Sequence, residues 1–372
     1  MKNIKPFYLD LTFIEKLKVA LKSFKILNSG NLILGKYTEA FESNFAKYIG
    51  SKYAVSMNTA TSCLEVLMHI HNAKGKKIAV PSNTNFASVV AIIKAGGTPV
   101  FMDLNPKSMC SDLDSVEFVH KKYKIDGIMW VHIAGLITDD FDKICEFCKR
   151  NNIFLVEDCA HAHGSKFKGV MAGNFADGGA FSFFPTKVMT TMEGGMITTN
   201  NKNHAELAKS FRNQGKRHAA YGGLHYDMGN SWRINEISAY LGIIQLNKLN
   251  KMISKRTQAA REIVEVLKFK NIEYCSFDHM DQVSNYKFII LLKSKDEVSK
   301  IKAELSHNGI YCGGSVYDVP CHQQPIFKDL KFEIKDLSQT EKYCSRQLCL
   351  PITSGLSKSD INYMVKIVNK II

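Results

Sequence analysis

Lys187 stands in AFSFFPTKVMTTMEGGMITTN, residues 180–200, between a segment carrying Phe181, Phe183 and Phe184 and a second apolar run that starts at Met196. An amine in a turn between two interior segments can serve as a nucleophile toward carbonyl groups and as a base. Upstream, IFLVEDCAHAHG carries an apolar run over Ile153, Phe154, Leu155 and Val156, then Glu157, Asp158, His161 and His163 in quick succession. Ligand sites of open α/β sheets gather beyond the carboxyl ends of the strands. A carboxylate and an amine at that mouth, with imidazoles nearby, read as a reaction centre. Taken singly, a solvated Asp and a solvated Lys are the plainer alternative.

Three weaker signals point the same way. NTATSCLEVL puts small and hydroxyl residues directly before a helix, so the free N–H groups near Ala60 and Thr61 offer a phosphate site. The hydroxyl of Ser182 can assist, although Ser and Thr are also ordinary helix caps. Asn230, in YDMGNSWRINE, lies near a predicted helix start. A lysine, a carboxylate and a phosphate site together specify pyridoxal phosphate: Lys187 can form a Schiff base with its aldehyde, and Asp158 can stabilise its protonated pyridine nitrogen.

These residues need a scaffold, and residues 50–200 supply the rhythm of one. Helical periods over TSCLEVLMHIHNA, NFASVVAIIKAGG, SDLDSVEFVHKKY and DDFDKICEFCKRNN alternate with short apolar runs in KIAVPS, TPVFMD, IDGIMWVHI and IFLVEDCA. Several runs are apolar on both faces, as strands covered by helices must be. The expected fold class is α/β, a three-layer α/β/α large domain with a mostly parallel sheet plus a smaller α+β C-terminal domain. The expected boundaries are 1–250 and 251–372, with segment 1–30 packing on the small domain or on a partner. Further helices are expected in HAELAKSFRNQGK and in the long run from Ile234 to Phe269, broken near Lys248.

The 372 residues, 45% hydrophobic with eight prolines, suit ordered globular structure. A net charge of +14 favours anionic partners, but the lysines are scattered singly, which argues against a nucleic-acid surface. Ten cysteines without scaffold spacing, and an opening MKNIKPFYLDLTFIEK without an apolar core, predict a cytoplasmic protein. Cys145 and Cys148 lie one helical turn apart and read as structural, with no metal site expected. No run reaches the length of a membrane-spanning helix.

With those residues in place, the sequence resembles the DegT/DnrJ/EryC1/StrS family of pyridoxal-phosphate sugar aminotransferases, which share the aspartate aminotransferase type of fold. The resemblance is carried by SGNLILGKYTEAFE, TATSCLEVL, PSNTNFASVVAIIKAGGTPVFMDL, LVEDCAHAHGSKFKGVMAG, SFFPTKVMTTMEGGMITT, GNSWRINEISAYLGIIQL, VPCHQQPIF and LCLPITSGL. It implies that Lys187 is the internal-aldimine lysine, that Asp158 partners the pyridine nitrogen, and that His161 lies beside the cofactor ring and its phenolic oxygen. It also implies that Ala60, Thr61 and Ser182 hold the phosphate, and that Asn230 reaches the phosphate of a neighbouring subunit in a homodimer with shared active sites. Asn85 departs from the family's ring-stacking aromatic and is expected to hydrogen-bond cofactor or substrate instead; the adjacent Phe86 would point elsewhere if the segment is extended. Met192 replaces a usual glycine, and either narrows the entrance or fills a gap.

The implied reaction moves an amino group from glutamate, through pyridoxamine phosphate, to a nucleotide-linked keto-sugar. A 4-keto-6-deoxy sugar is preferred, with a 3-keto sugar, a non-nucleotide keto-sugar or a cyclitol as alternatives. The implied setting is amino-sugar synthesis for a lipopolysaccharide or other surface polysaccharide. Lysine at 187 argues against the family's dehydratase branch, which has histidine there, and a non-catalytic regulatory descendant is a remote reading. Lys216, Arg217, His218 and His225 in RNQGKRHAAYGGLHYD, with Arg233 and His322, are candidates to meet the substrate and its diphosphate.

Overall fold

The computed structural model describes residues 2–217, 223–313, 316–328 and 336–372. Two helices, α1 (Phe13–Ser29) and α2 (Lys36–Ile49), lead into β1 (Tyr53–Met57), α3 (Ala60–Ile70), β2 (Lys77–Pro81), α4 (Phe86–Lys94), β3 (Thr98–Met102), α5 (Leu113–Tyr123), β4 (Gly127–Val131), α6 (Phe141–Arg150) and β5 (Phe154–Asp158). A small hairpin, β6 (Lys166–Phe167) and β7 (Val170–Met171), precedes β8 (Gly178–Ser182) and β9 (Gly195–Thr199). The seven main strands form one sheet in the order β1-β9-β8-β5-β4-β2-β3, and only β9 runs antiparallel to its neighbours. Helix α7 (Lys202–Arg212) packs with α3 and α4 on one face, while α2, α5, α6 and α8 (Glu236–Leu246) cover the other.

Helix α9 (Leu249–Phe269) follows α8 after a break at Asn247 and Lys248, as the sequence predicts. Its first turns bury Leu249, Met252 and Ile253 in the core around α2 and α6. Its last turns bury Ala259, Ala260, Ile263 and Leu267 in a second core. That core covers a three-stranded antiparallel sheet of β10 (Glu273–Tyr274), β11 (Phe288–Leu291) and β12 (Gln347–Leu350). Helices α10 (Lys295–His307), α11 (Ser338–Cys344) and α12 (Lys358–Ile371) complete this smaller α+β unit. The large mostly parallel sheet and the small C-terminal unit are the expected architecture. At the N-terminus, Ile4 bridges to Ile310, and Lys2 Nζ lies 2.7 Å from Asp360. No described helix is long and apolar enough to cross a membrane.

Two boundaries differ from the sequence reading. Helix α7 stops at Arg212 because Gln214 and Gly215 take left-handed φ values of 62° and 75°, which end the helical ladder. Phe86 is not in an extended segment: it opens α4, where the Asn85 side chain caps the Ala87 N–H at 3.0 Å.

The pleat of β5 decides which carboxylate reaches the site. Successive side chains alternate faces, so Glu157 and Asp158 must diverge. Glu157 turns toward the α6 face and is fully buried, which corrects its expected place at the sheet mouth. Its oxygens accept from His132 Nε2 at 2.9 Å and from the N–H groups of Gly173, Phe175 and Ala176 at 2.8, 3.0 and 3.0 Å. These four donors fill the lone-pair positions of a carboxylate, which leaves none for a metal even though His132, Glu157 and Cys159 bring ligand-type atoms within 4.8 Å. Glu157→Ala strands four buried donors and is expected to cost roughly 3–5 kcal/mol, read as a fall in the urea midpoint. A midpoint unchanged from wild type would remove this network as a support of β5.

His163 is packed between Phe181 and Phe183, with ring centroids 5.6 and 5.7 Å away. Burial pulls its pKa down from 6.5 to about 3, assisted by the Lys187 charge. The unfolded chain therefore binds this proton and the native state does not, so stability falls as pH drops below the unfolded value. The expected loss is about 1.4 kcal/mol per pH unit between roughly 6.5 and 3. Unfolding curves over this range test it: His163→Leu is expected to flatten the acid slope, and an unaltered slope would count against the assignment.

Candidate active site

The parallel register of β5 and β8 sets Asp158 opposite Ala180. Ser182 lies two residues beyond Ala180 on the same face, and across the antiparallel pair it faces Gly195. Gly195 is itself opposite Met57, and a Cβ built on it would lie 2.3 Å from the Thr59 carbonyl oxygen and 2.7 Å from the Ala60 nitrogen. Glycine is therefore required where β9 passes under the start of α3. This contact brings Ser182 and the N-terminus of α3 to one edge of the sheet.

Thr59 caps α3 by accepting from the Ser62 N–H at 3.1 Å, and Ser62 Oγ also donates to Asn58 Oδ1 at 2.6 Å. As the first two helical residues, Ala60 and Thr61 have N–H groups with no intrahelical acceptor, and the helix start lies against Gly195, the strand partner of Ser182. The segment before α3 is braced from behind. The Asn58 N–H donates to the Trp232 carbonyl at 2.8 Å, and the partly buried Glu42 carboxylate accepts from Ser56 and from Arg212 Nη1.

Asp158 is 4% exposed. Its Oδ2 accepts from Ser88 Oγ at 2.8 Å and its Oδ1 from the Ala160 N–H at 3.0 Å. Burial lifts its carboxyl above the usual range, while these two donors and the Lys187 charge pull the other way. A cation placed against it would recover the ionised form. Ser88 escapes a reading by sequence alone: SNTNFAS shows a hydroxyl on α4, but nothing local says that α4 lies over β5.

Lys187 follows β8 by five residues, and its Nζ lies 4.7 Å from the ring centroid of Tyr286. His161 stacks on the same tyrosine at 4.3 Å, with an angle of 23° between the rings. The Ala134 N–H donates to His161 Nδ1 at 3.3 Å, so the neutral ring carries its proton on Nε2. Burial, with the Lys187 and Lys287 charges, holds this imidazole well below its ordinary pKa. Ala134 makes that bond from a left-handed φ of 59°, a conformation costly for a non-glycine residue and common where structure serves a site. Tyr286 and Tyr317 are the aromatic residues that sequence reading did not find. The only local signal at Tyr286 was the strand-like run NYKFIILL, which gives no hint of what the ring touches.

The other expected site residues are placed less uniformly. Asn85 is exposed, caps α4, and hydrogen-bonds the hydroxyl of the half-buried Tyr317, whose ring lies 6.2 Å from His161. Asn230 is exposed in a loop and accepts from the Ser231 N–H at 2.7 Å; the helix start is six residues later, at Glu236, capped by Asn235. Lys216 lines a groove of about 620 Å³ with Lys209, Ser210, Asn213 and Arg217. Arg233 reaches Asn213 in that wall with a 2.9 Å bond. Arg217 is held in a two-point contact with Asp227, and His225 contacts the Gln214 carbonyl. His218 lies outside the described residues. Both ring nitrogens of His322 are engaged, Nδ1 with Ser82 Oγ at 2.6 Å and Nε2 with Glu341 Oε1 at 3.1 Å, so the ring bridges β2 and α11. Met192 is 51% exposed at a left-handed φ of 72°, so it fills no gap in the core.

The donor set fits pyridoxal phosphate. Unpaired helix N–H groups and a hydroxyl suit a phosphate, a buried carboxylate suits a protonated ring nitrogen, and a lysine amine suits an aldehyde.

Comparison with known proteins agrees. A profile of the DegT/DnrJ/EryC1/StrS aminotransferase family matches residues 17–369. The chain is 32% identical to the GDP-perosamine synthase of Escherichia coli O157:H7, covering 100% of this chain and 99% of the relative. It is 29% identical to the dTDP-3-amino-3,6-dideoxy-alpha-D-galactopyranose transaminase of Aneurinibacillus thermoaerophilus, covering 93% of each. The solved structure of Helicobacter pylori PseC, an aminotransferase involved in the biosynthesis of pseudoaminic acid, superposes with a TM-score of 0.89 at 27% identity, covering 100% of this chain and 99% of that one. The chain belongs to the DegT/DnrJ/EryC1/StrS family and is a pyridoxal-phosphate-dependent aminotransferase.

Proposed function

We propose that this aminotransferase moves an amino group from glutamate to a nucleotide-linked keto-sugar, with a 4-keto-6-deoxy sugar as the preferred acceptor. The observation that carries the chemistry is the Lys187 amine over the Tyr286 ring that stacks on His161, near enough for its charge to act on the buried Asp158 carboxylate. The sugar assignment is supported by the relative named as a UDP-4-amino-4,6-dideoxy-N-acetyl-beta-L-altrosamine transaminase. The relative named as a 3-amino-sugar transaminase favours a 3-keto sugar as the second reading.

The bound cofactor supplies a ring that withdraws electrons from the amine-bearing carbon. Lys187 Nζ acts as the base that moves the proton from that carbon, in the donor and then in reverse on the sugar. Asp158 would hold the protonated ring nitrogen by the negative charge of its carboxylate. Ala60, Thr61 and Ser182 would hold the phosphate, and His161 would lie beside the ring and its phenolic oxygen with its Nε2–H as the available donor. Asn85 orients cofactor or substrate through its contact with Tyr317. Lys216, Arg233 and His322 are assigned to the sugar nucleotide, with His322 acting through the position of Ser82 rather than by touch. The large domain is assigned to 1–250 and the small to 251–372, with support from the two cores that α9 joins.

We also assign a homodimer with shared sites. The face of α1 supports it, since Phe13, Ile14, Leu17, Leu21, Phe24 and Leu27 are all at least half exposed along one helical stripe. Asn230, exposed in its loop, is assigned to the partner's phosphate. A cytoplasmic location is in keeping with ten unpaired cysteines.

Incubating the cofactor-loaded protein and glutamate with nucleotide-linked 4-keto and 3-keto sugars, and following amination by mass and stereochemistry by NMR, tests the reaction. Amination is expected with a 4-keto substrate, and no amination of any member would sink the proposal. Lys187→Ala is expected to lose turnover by about a thousandfold or more, and Asp158→Asn by about a hundredfold; wild-type turnover in either variant would remove that residue from its role. Mixing inactive Lys187→Ala and Asn230→Ala chains is expected to restore part of the activity through shared sites, with a dimer by sedimentation; a monomer without complementation would refute the shared site.

A further inference from the structure

We propose that Tyr286 is a positioning residue for Lys187, its ring face holding the amine beside Asp158 and His161 whenever that amine is free. The inference rests on the reading of Lys187 as the amine that the reaction uses. The Lys187 Nζ lies 4.7 Å from the Tyr286 ring centroid, within the range at which a ring face attracts an ammonium. The same ring stacks on His161, and its hydroxyl is 3.3 Å from Thr186 Oγ1, the residue next to the lysine. One side chain therefore touches the lysine, its neighbour in sequence and the histidine of the site.

Tyr286 comes from the segment that leads into β11, and that segment is fixed to the large domain by buried polar contacts. Ser284 Oγ donates to the His161 carbonyl at 2.6 Å, and the Ser284 N–H donates to Ser165 Oγ at 3.1 Å. Arg256, buried on α9, donates to the Asn285 carbonyl at 3.1 Å, and Asn285 takes a left-handed φ of 46°. Gly135 leaves the room that Ser284 needs: a Cβ there would lie 1.9 Å from Ser284 Oγ. Fixing a loop this firmly next to a flexible lysine is how a reactive side chain is kept in one geometry.

The charges around Lys187 leave the ring a distinct part to play. Asp158 is the facing carboxylate, while His161 and His163 are held neutral by burial. Lys287, 5.8 Å from the same ring, and Arg256 are cations that disfavour a second positive charge. Burial pushes the Tyr286 phenol up, and Lys187, Thr186, Lys287 and Arg256 overcome it to leave it below its ordinary value. The ring face attracts the ammonium form of the amine and not the neutral form, so the hold on Lys187 depends on the ring's electron density.

Competitive acetylation of the full chain freed of cofactor, with the Lys187 peptide quantified by mass at a series of pH values, reads this directly; circular dichroism checks that each variant is folded. Tyr286→Phe, which keeps the ring face, is expected to leave the midpoint in place. Installing 3,4,5-trifluorophenylalanine at the same position preserves shape but weakens the ring's attraction, and is expected to lower the midpoint by about 0.5–1 unit, as is Tyr286→Leu. Identical midpoints for the phenylalanine and trifluorophenylalanine variants would overturn the proposal while leaving the transaminase reading intact. Turnover by Lys187→Ala would instead overturn the reading beneath it, whatever the midpoints.

Discussion

The alternation of side chains at the end of β5 governs the site. Glu157 and Asp158 are adjacent carboxylates with opposite fates. One is saturated by four donors on the α6 side and locks the strand end to the loop at Gly173–Ala176. The other is delivered to the α4 side with Ser88 as its side-chain donor. A slip of one residue in the register of β5 would exchange them, burying the wrong charge against each set of partners. Because β8 pairs in parallel with β5, the same register also fixes Ser182 and, five residues on, Lys187.

The second constraint is the close approach of backbones at Gly195. The strand that returns from the lysine turn passes so near the Thr59 carbonyl and the Ala60 nitrogen that no side chain fits between them. The open end of α3 and the Ser182 hydroxyl are thereby joined into one anion-binding edge, and the Glu42, Ser56 and Arg212 contacts behind it keep that edge in place. The lysine lies at the junction of the two units of the fold, since Tyr286, from the segment before β11, lies beside it. Chemistry at Lys187 therefore depends on how the small sheet is anchored as well as on the large one.

Much of this was legible in the chain. Strands apolar on both faces, alternating with helical periods, give the three-layer architecture, because a segment buried on both sides has few other places to go. Lys187 and Asp158 stood out because a charged group directly after an apolar strand is costly unless it is used or solvated. The residues whose surroundings the sequence does not show share one feature, contacts set by a partner distant in sequence or by where a helix begins. Glu157 looked like part of the site until the pleat turned it away. His322 is a candidate substrate contact in the sequence, and only the fold shows that Ser82 and Glu341 engage both its nitrogens. Asn230 lies near a helix start in the sequence, and only the structure puts that start at Glu236, with Asn235 as the cap.

The sequence by itself determined the elements, the reactive groups at their ends and the family, since hydrophobic period, capping residues and motif spacing are local properties written along the chain. Only the tertiary structure decided which groups meet. Ser88 on Asp158, Ala134 on His161, Tyr286 under Lys187 and the fit of Gly195 against Thr59 all join residues from separate elements. Strand register, helix packing and the anchoring of the small sheet set those distances, and none of the three is encoded in any short stretch of residues.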